Sequence, residues 1–247
     1  MSDAPPRADD DRTSPPYEEH IGASRQYMRD VILGVNDGLV STFLLIAGVV
    51  GAGLDADAVL LSGLAAALAG MVSMATGEYL ATKSQEEVFE AEMELEAFHL
   101  KHHRARERQE LWDMFHDMGL EGDDLETVVN IIDANDEAMM GIMAGLEFGV
   151  VDTERRSPWL AAIVSGALFL LGALPSVVPF FFVEDPTTGL LIAAVLSGIG
   201  LLIVGAAKTV QTKKNPLVSG LENLAVGLVG GAVSFMVGRG FDALISG

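Results

Sequence analysis

The chain has no cysteine, which excludes disulfides and thiolate metal sites and leaves carboxylate, imidazole and thioether as the available metal donors. Basic residues are scarce, 15 Lys and Arg against 35 Asp and Glu, and they are scattered. That pattern excludes a surface for tracking nucleic-acid phosphates. The first 30 residues lack the apolar core of a cleavable signal peptide and are rich in Asp and Pro, so residues 1–27 read as an acidic, disordered tail. From Ser84 to Met118 there is neither Gly nor Pro, which removes the usual helix breakers from that stretch.

What is present is strongly segregated. Half of the 247 residues are hydrophobic, yet the formal net charge is −20. Five apolar runs, about 31–53, 58–82, 157–183, 187–208 and 217–238, are each long enough for a hydrocarbon core of about 30 Å at 1.5 Å per residue. Pro175 and Pro179 kink the third run or mark its outer end. Gly63, Gly70, Gly227, Gly230 and Gly231 supply the small faces by which helices approach closely in lipid. The fold class is all-α, an integral membrane protein with five transmembrane helices, two of them over 28–82 and three over 157–247.

Between the second and third runs lies a polar insert, 83–156, with 20 of the 35 acids but 7 of the 15 basic residues. Lys and Arg collect on the cytoplasmic face of membrane proteins. Placing the N-terminus and insert inside puts every basic residue but Arg239 in the cytoplasm; the opposite topology would strand 14 of 15 outside. The expected location is the cell membrane, multi-pass, with the C-terminus outside.

Two acids interrupt the apolar runs. Asp37 lies in the first and Glu78 near the inner end of the second, where an ionised side chain costs about 2.5–3.5 kcal/mol and therefore faces a partner or a water-filled path. Met74 stands one helical turn from Glu78, and a thioether beside carboxylates favours a transition metal over Mg²⁺ or Ca²⁺. Glu222 and Asn223 fall at the same cytoplasmic depth in the last run. These positions mark a cation pathway.

In the insert, a continuous helix over 84–118 would carry Glu92, Glu96, His99, His103, Glu107 and Glu110 on one stripe, beside Met93, Leu100 and Leu111. A second helix over 123–149 would group Asp133, Asp136, Met140, Met143 and Glu147 on one face. Each Glu alone fits a solvated acidic surface. His and Met among them point instead to a divalent metal, whose binding would relieve the repulsion between carboxylates.

Asn36-Asp37-Gly38-Leu39-Val40-Ser41, Ser73-Met74-Ala75-Thr76-Gly77-Glu78-Tyr79, Glu147-Phe148-Gly149, Gly230-Gly231 and Gly238-Arg239 together resemble the vacuolar iron transporter family. The resemblance covers about 28–240. It implies a homodimer that exports Fe²⁺, and often Mn²⁺, from the cytoplasm in exchange for protons along a path between the subunits. It implies further that Asp37 and Met74 bind the moving ion, and that the insert is a cytoplasmic metal-binding domain using Glu96, Glu107, Glu110, Glu147 and Met143. Two positions depart from the family pattern, His99 where a Glu is expected and Ala144 where a second Met is expected. His99 can ligate Fe²⁺, Mn²⁺ or Zn²⁺. No prosthetic group and no enzymatic activity are expected.

Two other readings compete. Glu96-Ala97-Phe98-His99 and Asp113-Met114-Phe115-His116 have the carboxylate-x-x-His spacing of di-iron oxidases. That reading needs a four-helix bundle, whereas the insert has room for two long helices and a short one, and it leaves Asp37 unexplained. A Mg²⁺ or Ca²⁺ transporter with an acidic sensor is the other, and Met74, Met143 and His99 argue against its all-oxygen chemistry.

Overall fold

A computed structural model describes residues 24–147, 157–209 and 215–245, and every element in them is helical. Among the described residues eight α-helices follow in order: α1 Ser24–Gly51, α2 Ala56–His102, α3 Arg104–Asp117, α4 Gly122–Asp133, α5 Asp136–Glu147, α6 Pro158–Val177, α7 Pro186–Ala207 and α8 Pro216–Ile245. A short 3₁₀ turn, Val178–Phe181, closes the C-terminal end of α6 around Pro179. Five helices are long and apolar enough to cross a bilayer: α1, α2, α6 with its 3₁₀ turn, α7 and α8. The five expected spans are therefore present. The tail up to residue 23, the end of the insert at 148–156 and the motif residues Phe148 and Gly149 lie outside the described residues.

The ends of these helices follow from local chemistry. Asp55 caps α2 by accepting from the Ala58 N–H at 2.8 Å, Asp185 caps α7 by accepting from Thr188 at 2.7 Å, and the Asn215 side chain accepts from Leu217 at 2.9 Å ahead of α8. Pro158, Pro186 and Pro216 each open a helix, where a missing N–H costs nothing.

In the bundle, α6 packs between α1 and α2, while α8 packs on α1 and α7. Close backbone approach sets these crossings. A Cβ on Gly38 would collide with the Phe169 carbonyl oxygen, and one on Gly172 with that of Val35, so α1 and α6 meet backbone to backbone. Gly63, Gly70, Gly227 and Gly231 likewise face neighbouring side chains, as their small size suggested. A core of Ile46, Val50, Val59, Val177 and Phe180 fills the half of the bundle away from the insert. Outward-facing Leu61, Leu68 and Val72 on α2, and Val226, Val229 and Val233 on α8, stay exposed and suit lipid or a second subunit.

At 47 residues, α2 rises about 70 Å, more than twice the hydrocarbon thickness. Its first half is apolar enough to span; from Lys83 onward it is studded with Glu, too polar for hydrocarbon. There it joins α3, α4 and α5 around a separate apolar core of Leu100, Leu111, Leu125, Val129, Ile132, Met139 and Met143.

The insert corrects the sequence reading in one respect. Instead of two long helices and a short one, its described residues form four helical segments, because each expected long helix breaks. The first turns at His103, whose backbone leaves the helical region at φ −132°, ψ 28°. On a straight helix Leu100 and Leu111 would lie about 16 Å apart, and the turn lets both enter one core. The second breaks at Ala134 and Asn135, where the Asn135 side chain accepts from the N–H groups of Glu137 and Ala138 and starts α5.

Candidate metal sites

Two groups of donors result, one in the span bundle and one in the insert. In the bundle, Asp37 from the middle of α1 and Met74 from α2 line one cavity of about 310 Å³, together with Ser41, Thr42, Ser73 and Phe169. Its shape follows from the packing. Gly38 brings α6 hard against α1, and Gly70 makes room for the Phe169 ring against α2, leaving a gap between α1 and α2. Carboxylate and thioether therefore face one space within the membrane, lined also by hydroxyl-bearing residues.

Glu78, one turn from Met74, is half-buried and is not among the residues lining the cavity. Asn223 donates its amide N–H to the Asn36 side-chain oxygen at 3.2 Å and accepts from Lys208 at 3.2 Å, so α7 and α8 are tied to the residue beside Asp37. Glu222 is mostly exposed, 3.9 Å from Lys208. Of the expected polar layer, then, Asp37 and Met74 share a cavity, Asn223 binds Asn36 beside Asp37, and Glu78 and Glu222 are not among the residues lining it. Sequence reasoning passed over Thr42, whose hydroxyl is buried with no hydrogen-bond partner among the described residues, and Lys208. A hydroxyl in the first apolar run and a Lys at the end of the fourth were the only signals.

The insert holds the second group. The turn at His103 folds α3 back so that Glu107, in its first turn, meets Glu96 and His99 on the last turns of α2. Donor atoms of these three residues all lie within 4.8 Å of one another, and His99 Nδ1 stands 3.4 Å from a Glu107 oxygen. Glu96 and Glu107 are 3 % and 2 % exposed. Each keeps one carboxylate oxygen, Glu96 Oε1 and Glu107 Oε2, without a hydrogen-bond partner among the described residues.

Glu110 and Glu147 bear on this trio electrostatically. Burial first, and then the carboxylates of Glu107, Glu147 and Glu110, push Glu96 up to about 7. Burial and Glu110 raise Glu107, against the opposing pull of His99, and burial with Glu110 and Glu92 raises Glu147. Glu110 is also paired with Arg106 at 3.5 Å. Met143 is wholly buried in the apolar core, one turn from Glu147 on α5.

Other expected donors are spent elsewhere. Asp133 and Asp136 bind Arg104, Asp133 at 2.9 Å and Asp136 at 2.6 Å, so they brace the α4–α5 corner. His103 is exposed at the turn itself. The second half of the di-iron spacing is not brought to the cluster: Asp113 accepts from Gln109, and the His116 ring stacks on Trp112 at 5.1 Å. The fold thus assembles one Glu-x-x-His segment, not two.

A profile of the VIT family matches residues 28–239, from the first span to the end of the fifth. The chain belongs to this family. It is 27 % identical over 241 residues to vacuolar iron transporter 1 of Tulipa gesneriana, covering 98 % of each chain. To vacuolar iron transporter 1 of Arabidopsis thaliana it is 29 % identical over 222 residues, covering 90 % of this chain and 88 % of the relative. The vacuolar iron transporter of Plasmodium falciparum is 25 % identical over 231 residues, covering 90 % and 85 %. Both donor groups fall inside the stretch that defines membership of the VIT family.

Proposed function

We propose that this VIT-family protein exports Fe²⁺, and Mn²⁺ as a second substrate, from the cytoplasm in exchange for protons. The observation that carries this is the shared cavity of Asp37 and Met74 on α1 and α2. A carboxylate and a thioether facing one space inside the membrane offer a divalent transition ion a charge to neutralise and a soft donor to bind.

Metal first meets the insert. Glu96, His99, Glu107, Glu110 and Glu147, with Met143 one turn from Glu147, collect it from dilute solution on the cytoplasmic side, the side on which the basic residues place the insert. From there it moves along α2 past Glu78 to Met74 and Asp37. Protons arriving from the opposite side compete for the Asp37 carboxylate, so release of metal and uptake of protons are one exchange at one group. Two chains form the working unit, meeting through apolar surface such as α2 leaves exposed. The named relatives are vacuolar, and the chemistry is the same whichever compartment receives the metal, since in each case it leaves the cytosol.

The test is flux in proteoliposomes carrying an internal pH dye. Asp37→Ala should abolish Fe²⁺-driven proton movement while leaving the protein folded and dimeric by light scattering. Proton movement at the unmodified rate would overturn the role of Asp37 and with it the exchange mechanism.

A further inference from the structure

We infer that His99 decides which divalent ions the insert accepts, favouring Fe²⁺, Co²⁺ and Zn²⁺ over Mg²⁺, Ca²⁺ and Mn²⁺. The inference rests on the reading of the insert as a metal-capture site and adds its selectivity.

The trio of Glu96, His99 and Glu107 is built as a ligand set. Two buried carboxylates each present an oxygen that no donor among the described residues satisfies, and such a group costs free energy until something binds it. The contact between His99 Nδ1 and Glu107, at 3.4 Å, is longer than the 2.7–2.9 Å typical of a charge-assisted hydrogen bond. Two donors on one ion with bonds of about 2.1 Å stand about 3.4 Å apart in tetrahedral geometry. The spacing therefore suits a shared small cation better than a direct bond between the two side chains.

The donor types then set the preference. The trio's two carboxylates and one neutral imidazole carry two negative charges toward the ion, with Glu110 and Glu147 adding further negative charge close by. Oxygen-only shells serve Mg²⁺, Ca²⁺ and Mn²⁺ well, and an imidazole in place of a third carboxylate takes away a charge and a hard oxygen. For Fe²⁺, Co²⁺ and Zn²⁺ the nitrogen is a better donor, and affinity rises from Mn²⁺ through Fe²⁺ to Co²⁺. His99 is also well placed to act alone in this respect, because His102 turns its Nδ1 onto the Phe98 carbonyl at 2.9 Å and His103 stays exposed at the turn.

The experiment measures equilibrium binding of Mn²⁺, Co²⁺ and Zn²⁺ separately to the full chain in detergent, in an Asp37→Ala background that silences the membrane cavity. His99→Glu should strengthen Mn²⁺ binding and cut the preference for Zn²⁺ over Mn²⁺ by roughly tenfold or more. His99→Gln, neutral and close in size, should weaken Zn²⁺ and Co²⁺, and in both variants the ligand-field absorption of bound Co²⁺ should change as nitrogen leaves its shell. An unchanged preference in both variants, an unchanged Co²⁺ spectrum, or no binding of any of the three ions to the parent protein would overturn the inference. Transport separates this from the larger reading: Fe²⁺-driven proton flux that persists in His99→Glu with Asp37 intact, beside an unchanged preference, removes His99 as the selector and leaves the exporter standing.

Discussion

Glu96, near the end of α2, and Glu107, in the first turn of α3, meet as two almost wholly buried carboxylates across a break in the helix that carries them. Glu107 is among the charges that raise Glu96 to about 7. At neutral pH, therefore, the metal-free insert holds Glu96 partly protonated, and a cation competes with that proton.

The consequence for stability has a definite sign. Glu96 binds its proton more tightly in the folded insert, at about 7, than at the ordinary value of 4.5, so its contribution is fully present below 4.5 and is lost as pH rises through about 7. With chelator present, the thermal transition reported by Trp112 in a Trp159→Phe background should fall as pH goes from 6 to 8. Glu96→Gln should flatten that dependence. Zn²⁺ binding followed by calorimetry in two buffers should release more protons at pH 6 than at pH 8, and Glu96→Gln should shrink that difference. A pH difference in release that is the same in Glu96→Gln as in the parent would sink the assignment of this proton to Glu96.

Met74 separates softness from charge in the membrane cavity. Met74→Leu keeps the bulk and removes the sulfur, so the cavity retains its carboxylate but loses the donor that prefers transition ions. Uptake of Fe²⁺ in proteoliposomes should drop roughly tenfold, equivalent to about 1.4 kcal/mol, with the loss smaller for Mn²⁺. Equal losses for both ions would mean that the thioether only fills space.

Gly38 tests the packing that shapes this cavity. A methyl group there runs into the Phe169 carbonyl, which is backbone and cannot swing aside. Gly38→Ala should therefore force α1 and α6 apart at a cost of about 1–3 kcal/mol or more, seen as a lower melting temperature in detergent. Gly77, with nothing near the position of a Cβ, is the matched control and should tolerate Ala without such a loss.

Much of this was legible in the sequence for a physical reason: a bilayer punishes unpaired polar groups, so spans announce themselves by length and their exceptions by charge. Asp37 was readable on that ground; Met74 stood out by its place one turn from Glu78, and only the family resemblance paired the two. Within the insert, a stripe on an ideal helix selected Glu96, His99 and Glu107, yet the structure joins them by a different route. The chain breaks at His103 with no Gly or Pro to signal it, because the break is driven by Leu100 and Leu111 sharing one core. Asp133 and Asp136 shared a face in the sequence but went to Arg104, since a long-range ion pair leaves no mark in local spacing. The start of α5 was readable in principle from Asn135 as a cap.

Arg104 offers the last test, because it acts on the metal cluster only through the scaffold. Its guanidinium binds the side chains of Asp133 and Asp136 and the backbone carbonyl of Asp133, which fixes the corner from which α5 carries Glu147 toward Glu96 and Glu107. A planar fork that reaches both acids at once has no equivalent in a single ammonium group. Arg104→Ala should lower the melting transition of the insert and weaken metal binding, while Arg104→Lys should restore only part of each. Saturating Zn²⁺ should narrow the gap between Arg104→Ala and the parent, since the ion then holds the helices that the arginine no longer braces. If metal affinity stays at the parent value while stability falls, the corner supports the fold alone and Glu147 finds its place without it.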